Sequence, residues 1–212
     1  MNSYERYLKY FKSRLPRRSF AIEAGSGAVM ISAPHSVEQT RAGRLKYGEY
    51  HTGVLARMLH DETGCHIIYK SHNKHDDANF DRTSPYRDAL IDFVKQNGVR
   101  LVIDLHQMSA QRSELIEIGT GEGKNVSADP AAVDELICCF QKRGFEKIAM
   151  DGNFPATYQN TVSASVSREC GIACIQIEFN TRLLSNEFRG CRYSDVLEAL
   201  KEFIVLKDGI NK

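Results

Sequence analysis

The stretch Ala173-Cys174-Ile175-Gln176-Ile177-Glu178-Phe179-Asn180 decides how this chain is read. From Ala173 to Phe179 it is strongly apolar, and a short apolar run of this kind predicts a buried strand. A buried strand does not ordinarily carry a carboxylate, so Glu178 stands out. Working outward, Ala28-Val29-Met30-Ile31-Ser32-Ala33 is a second such run and stops at Pro34. Arg100 to Leu105 is a third, entered after the helix-stopping pair Asn97-Gly98. His66-Ile67-Ile68-Tyr69, Leu115 to Ile118 and Lys147 to Met150 read as further strands.

Helical segments lie between the strands. Tyr4 to Leu15 has apolar residues near helical spacing and is expected to end at Pro16. Gly48 to Thr63 places Val54, Leu55, Met58 and Leu59 on one face, with Gly64 closing the helix. Ser84 and Pro85 supply an N-cap and a first helical residue for a helix running to Asn97. Pro130 to Phe140, Thr161 to Glu169 and Tyr193 to Leu206 complete the set, and Ser71 to Thr83 is a long polar loop. The alternation predicts an α/β fold, a three-layer αβα sandwich with helices on both faces of a mixed, mostly parallel central sheet. No repeat, low-complexity run or linker interrupts it, so residues 1–212 are expected to form one domain.

Composition excludes several classes. The chain has 28 Lys and Arg against 27 Asp and Glu, and no basic stripe, so nucleic acid is not an expected partner. With 42% hydrophobic and 26% charged residues it is not a disordered chain. No run approaches the ~18 apolar residues of a membrane span. The opening MNSYERYLKYFKSRLPRRSF is mixed in charge and lacks an apolar secretory core, which leads to the expectation of a cytoplasmic protein. The six cysteines (Cys65, Cys138, Cys139, Cys170, Cys174 and Cys191) have no paired zinc-finger spacing, and free, mostly buried thiols are expected.

In sheets of this kind, sites gather at the carboxyl ends of the strands. Three ends carry chemistry: Pro34-His35-Ser36-Val37-Glu38, Asp104-Leu105-His106, and Glu178-Phe179-Asn180. Imidazole and carboxylate ligands with an open position for water form a hydrolytic zinc site. His35 and His106 would supply the imidazoles, a carboxylate near His35 the third ligand, and Glu178 a general base. Asp104 would fix an imidazole from behind, although strand-end capping is its blander role. For any one of these histidines, hydrogen bonding within a loop is the commoner use. His60 and His66 are expected at the surface or a helix end, His72 and His75 in a solvated loop, and His51 either lining the site or exposed. No Gly-x-Ser-x-Gly elbow supports a serine hydrolase, and apolar surroundings disfavour a cysteine nucleophile.

These residues give the chain a resemblance to N-formylglutamate amidohydrolases, which share the fold and metal chemistry of zinc carboxypeptidases. The matching stretches are Ala33-Pro34-His35-Ser36, Asp104-Leu105-His106 and Ile175-Gln176-Ile177-Glu178-Phe179-Asn180, with a weaker match at Asp77-Ala78-Asn79-Phe80-Asp81-Arg82. The resemblance implies zinc held by His35, His106 and a carboxylate, with Glu178 promoting attack by water. Carboxypeptidase spacing points to Glu38 as the third ligand; the amidohydrolase pattern points to Glu49, before Tyr50 and His51. It also implies a small anionic substrate. Arg82 and Arg182 are the first candidates for a bidentate clamp on its carboxylate, with Arg87 and Arg112 behind them. Arg41 or Arg44 could polarise the scissile carbonyl. Asn79 is carried over with its loop, and Asn180 and Thr161 are candidates for hydrogen bonds to substrate, their blander role being turn or cap duty. The chain is short for an amidohydrolase of this type, so its loops are expected to be trimmed. A catalytically silent binding relative, or a peptide or γ-glutamyl amide hydrolase of the same fold, is the alternative. Oligomeric state is not legible.

Overall fold

The computed structural model describes residues 2–13, 15 and 18–209. In chain order the elements are α1 (Ser3–Lys12), β1 (Phe20–Glu23), β2 (Val29–Ala33), β3 (Gln39–Arg41), β4 (Arg44–Lys46), α2 (Tyr50–Thr63), β5 (His66–Lys70) and α3 (Pro85–Gln96). They continue with β6 (Leu101–Met108), β7 (Ile116–Gly119), α4 (Ala131–Gln141), β8 (Ala149–Met150), α5 (Val162–Cys170), β9 (Ala173–Asn180), α6 (Thr181–Leu184) and α7 (Tyr193–Asp208). Pro16, the expected end of the first helix, lies outside the described residues, and α1 stops at Lys12.

The sheet runs β1-β5-β2-β6-β9-β7-β8. Its centre, β5-β2-β6-β9, is parallel, whereas β1 pairs antiparallel with β5 and β7 antiparallel with β9. Side chains of successive strand residues point to opposite faces, and here the two faces differ in chemistry. Ile31, Ile103, Leu105, Ile175, Ile177 and Phe179 join the larger core, which includes residues of α1, α2, α4 and α7. Met30, Val102 and Cys174 face α3 and α5 in the smaller one. The second face also holds Ser32, Asp104, His106, Gln176 and Glu178, all buried. α3 and α5 cover its apolar, amino-terminal half, and the polar carboxyl-terminal half opens into a cleft.

Local chemistry accounts for the boundaries. The Ser84 hydroxyl caps α3 by accepting the Arg87 N–H at 3.3 Å, with Pro85 following. α2 closes on Gly64, whose φ of 73° suits a residue without a side chain. β6 continues past Leu105 because β9 stays in register beside it, pairing His106 with Glu178 and Met108 with Asn180. His106 is therefore held inside a strand rather than on the expected loop.

Four elements lie outside the sequence reading: β1, β3, β4 and the short helix α6. β1 is a half-buried edge strand with no strong apolar run. β3 and β4 form a separate polar hairpin whose turn residues, Ala42 and Gly43, have φ of 49° and 76°, and neither strand carries an apolar alternation to betray it. All six cysteines are free. Cys65, Cys139 and Cys174 are buried, but Cys138 is exposed and Cys170 and Cys191 are half-buried. Burial pushes the Cys65 and Cys139 thiols up to about 11, which suits packing rather than nucleophilic work. Among the described residues no helix is long and apolar enough to cross a membrane.

Candidate metal centre

His35 follows β2 in a tight turn, His106 lies in β6, and Glu49 immediately precedes α2. The backbone N–H of Glu49 donates to the His35 carbonyl at 2.7 Å, locking the two segments together. One ligand atom from each of His35, Glu49 and His106 falls within 4.8 Å of the others. Glu49 Oε1 is 2.9 Å from His35 Nδ1, and Glu49 Oε2 is 3.2 Å from His106 Nδ1. Each imidazole therefore turns Nδ1 toward the centre and Nε2 away. His35 Nε2 is 2.9 Å from Asp77 Oδ1, and His106 Nε2 is 3.1 Å from Asp104 Oδ2.

Those backing carboxylates are themselves fixed. Asp104 accepts the Ser32 hydroxyl at 2.8 Å. Asp77 accepts Arg41 Nε at 2.7 Å and the Asn79 N–H at 2.9 Å. Both are fully buried. A carboxylate behind an imidazole sets its tautomer and raises its basicity, the usual arrangement behind a metal-binding histidine. Two imidazole nitrogens and a carboxylate, each aimed at one point, are a donor set that fits zinc.

Electrostatics agree with the geometry. Burial opposes charge on His35 and His106, yet their carboxylate neighbours overcome it and raise both pKa values. Burial also works against the Glu49 anion, but the two imidazoles pull its carboxyl down to about 2. Glu178 behaves differently. Among the described residues no group donates a hydrogen bond to its carboxylate, and burial pushes it up to about 7. In the metal-free protein a buried carboxyl near neutrality has the acidity of a general base.

Glu38 does not join this group. Its carboxylate accepts the Tyr50 hydroxyl at 3.1 Å, so His-x-x-Glu spacing misplaces it and the carboxylate near His35 is Glu49. Asn180 is not available to substrate: fully buried, it donates to the Arg112 and Glu114 carbonyls and caps α6. Arg182 bonds Asn180 and the Arg112 carbonyl, and Arg82 is exposed and outside the cleft lining. Arg87 is buried and ties the carbonyls of Ala78, Asp81, Arg82 and Asn160. Arg41, Arg112 and Asn79 do line the cleft, whereas Arg44 does not. His51 neither lines it nor is exposed; it is buried against Tyr4, whose hydroxyl lies 3.0 Å from its Nδ1. His66 is buried in β5 and accepts the Gly25 N–H, contrary to a surface position. Asp77 had no assigned role in the sequence. Its place in the family-like loop was the only signal, since 42 residues separate it from His35.

The centre sits in a cleft of about 740 Å³, with Glu178 among the lining residues and Phe154 to Tyr158 forming one wall. No protein-family model matches the chain, and no curated protein matches it. Solved structures do. An N-formylglutamate amidohydrolase from Ralstonia eutropha superposes with a TM-score of 0.64 at 14% identity, covering 92% of this chain and 98% of that one. A bacteriophage poly-gamma-glutamate hydrolase gives 0.56 at 15%, covering 91% of each chain. A metallo-carboxypeptidase from Burkholderia cenocepacia gives 0.52 at 12%, covering 98% of this chain and 68% of that one. The fold is therefore that of zinc carboxypeptidase and amidohydrolase-like structures, a fold shared with metal-dependent hydrolases of amide and peptide bonds. Against the first of these structures the chain is not shortened, so trimmed loops do not distinguish it.

Proposed function

We propose that this chain is a zinc-dependent hydrolase that cleaves the amide bond of a small N-acyl amino acid. The observation that carries the reading is the convergence of His35 Nδ1, His106 Nδ1 and the Glu49 carboxylate beside an unpaired, buried Glu178. His35, Glu49 and His106 would hold the ion. Zinc in such sites acts as a Lewis acid that polarises a carbonyl and acidifies water to a pKa of about 7. Asp77 and Asp104 keep both imidazoles presenting Nδ1. Glu178 accepts a proton from the attacking water and delivers it to the departing amine. Arg41 and Arg112, on the lining of the cleft, are placed to attract a carboxylate end of the substrate. A second reading, a γ-glutamyl or peptide amide, is favoured by the size of the cleft and by the exposed aromatic residues Tyr47, Phe80 and Tyr158 in its lining.

The test is a substrate screen with metal analysis. Zinc-loaded protein should release free amine from N-formyl or N-acetyl amino acids, or from γ-glutamyl dipeptides, and a chelator should stop the reaction until zinc is restored. Turnover that survives complete removal of metal would overturn the reading.

A further inference from the structure

The wall of the cleft opposite the metal ligands carries two backbone donors that the hydrolytic reading does not use. Phe154, Pro155, Ala156 and Thr157 all line the cleft. The carbonyls of the first three are taken. Phe154 accepts Gln176 Nε2 at 3.1 Å, and Pro155 accepts the Gly121 N–H at 2.7 Å. Ala156 accepts Asn125 Nδ2 at 3.0 Å, with a longer contact from Thr161 Oγ1 at 3.5 Å. The Pro155 and Ala156 carbonyls point to one place, because the Asn125 amide lies 2.6 Å from where a Gly121 Cβ would stand. Gly121 and Asn125 do not line the cleft; they lie behind its wall. In a trans peptide the N–H points opposite to the carbonyl it is joined to. The Ala156 and Thr157 N–H groups share peptide units with those two carbonyls, so they turn away from Gly121 and Asn125 and into the cleft. Among the described residues nothing accepts a hydrogen bond from either.

The wall is built to hold this orientation. Ala156 has φ of 57°, a left-handed backbone that a residue with a side chain keeps only where its surroundings fix it. Two glycines make room for the tethers. A Cβ on Gly121 would strike the Asn125 side chain, and one on Gly119 would come 2.3 Å from the Phe154 carbonyl and 3.2 Å from the Ala156 Cβ. The Phe154 N–H is held by the buried carboxylate of Glu117 at 2.5 Å, so the segment is anchored before and after Pro155. Successive N–H groups that face one way make a concave site for an anion. The surrounding charges agree. Among the described residues the only carboxylates lining the cleft are Glu49 and Glu178 at the centre, whereas Arg41, Lys46 and Arg112 line it as cations.

We infer that the Ala156 and Thr157 N–H groups form a subsite for a carboxylate of the substrate, with Asn125 as the positioning residue behind it. An ionised carboxylate offers acceptors only, and its two oxygens can take both N–H groups at once. A carboxamide in its place offers one oxygen, sets its own N–H against a donor and brings no charge. The substrate therefore presents a free carboxylate to this wall while its scissile bond lies at the centre, and one whose carboxyl is amidated or esterified there is a poor substrate. The inference rests on the amide-hydrolase reading for the bond that is cut, but the subsite itself is tested by binding alone.

The experiment is nuclear magnetic resonance of isotope-labelled, zinc-loaded protein titrated with acetate and with acetamide, which are alike in shape and differ in charge. Acetate should move the Ala156 and Thr157 amide protons downfield in a saturable way, and acetamide should act on them about tenfold or more weakly, because hydrogen bonds to a charged group are the stronger ones. Asn125→Asp sets a carboxylate against the Ala156 carbonyl and turns that peptide; the acetate preference at the two amides should be lost, while zinc affinity and the amide signals of the sheet stay as in wild type. Ala156 and Thr157 signals unmoved by acetate, an equal response to acetamide, or an unchanged acetate preference in Asn125→Asp overturns the inference. The wild-type titration decides the matter by itself if Asn125→Asp does not fold. Turnover of N-acyl amino acids, measured separately, decides the hydrolase reading, so the two can fail independently.

Discussion

Replacing Glu178 by Gln separates its chemistry from its cost to the fold. Burial raises this carboxyl from 4.5 to about 7 in the metal-free protein. The folded state consequently binds a proton more tightly than the unfolded one, and metal-free stability falls as pH rises from below 4.5 through 7. Keeping the group at about 7 amounts to a penalty of about 1 kcal/mol at pH 5 and about 3 kcal/mol at pH 8. Ile175, Ile177 and Phe179, pointing the other way on the same strand and fully buried, contribute about 1.5–3 kcal/mol each and more than offset it. Gln has the same shape and does not titrate. Urea denaturation of the metal-free proteins should show Glu178→Gln gaining on wild type by about 2 kcal/mol between pH 5 and pH 8. In the zinc-loaded proteins kcat should drop by roughly 10²–10⁴ while zinc affinity is kept. Parallel stability curves for the two proteins would refute the burial argument, and undiminished kcat would remove Glu178 from the reaction.

The other residues give sharper single readouts. Asp77→Asn removes the acceptor behind His35 Nε2, and zinc affinity by competition with a chromogenic chelator should weaken about 10–100-fold. The pair Glu49→Gln and Glu38→Gln should split in the same assay: the first loses zinc, and the second binds it as wild type does. Asn180→Ala takes the amide donor from the Arg112 and Glu114 carbonyls and the cap from α6, and should cost roughly 1–3 kcal/mol in denaturation, with zinc affinity unchanged; a loss of zinc binding without destabilisation would return Asn180 to the site.

Much of this arrangement is written locally. The apolar runs of β2, β6 and β9 need only their own composition to be seen, and Ser84-Pro85 and Gly64 mark helix ends through chemistry confined to a few residues. His35, His106 and Glu178 show because each interrupts or ends such a run. What escapes is decided by distance in sequence. Glu38 and Glu49 are equally plausible on paper, and only the turn after β2, with the Glu49 N–H bound to the His35 carbonyl, brings one of them to the histidines. Asp77 reaches His35 from a loop with no periodicity. Arg182 and Asn180 carry polar groups suited to substrate, but the chain spends them on its own carbonyls. Gln176 donates to the carbonyl of Phe154, 22 residues away, a contact no local pattern announces. The strands of the hairpin β3–β4 have a single apolar side chain, Leu45, and leave no pattern to find.

The central claim is that His35, Glu49 and His106 bind one metal ion through Nδ1, carboxylate and Nδ1. Crystals of zinc-loaded protein, measured at the zinc absorption edge, test it directly. One anomalous peak should lie about 2.0–2.2 Å from His35 Nδ1, His106 Nδ1 and a Glu49 oxygen, with both Nε2 atoms still on Asp77 and Asp104. A peak elsewhere, ligation through Nε2, or no peak in protein saturated with zinc would contradict it.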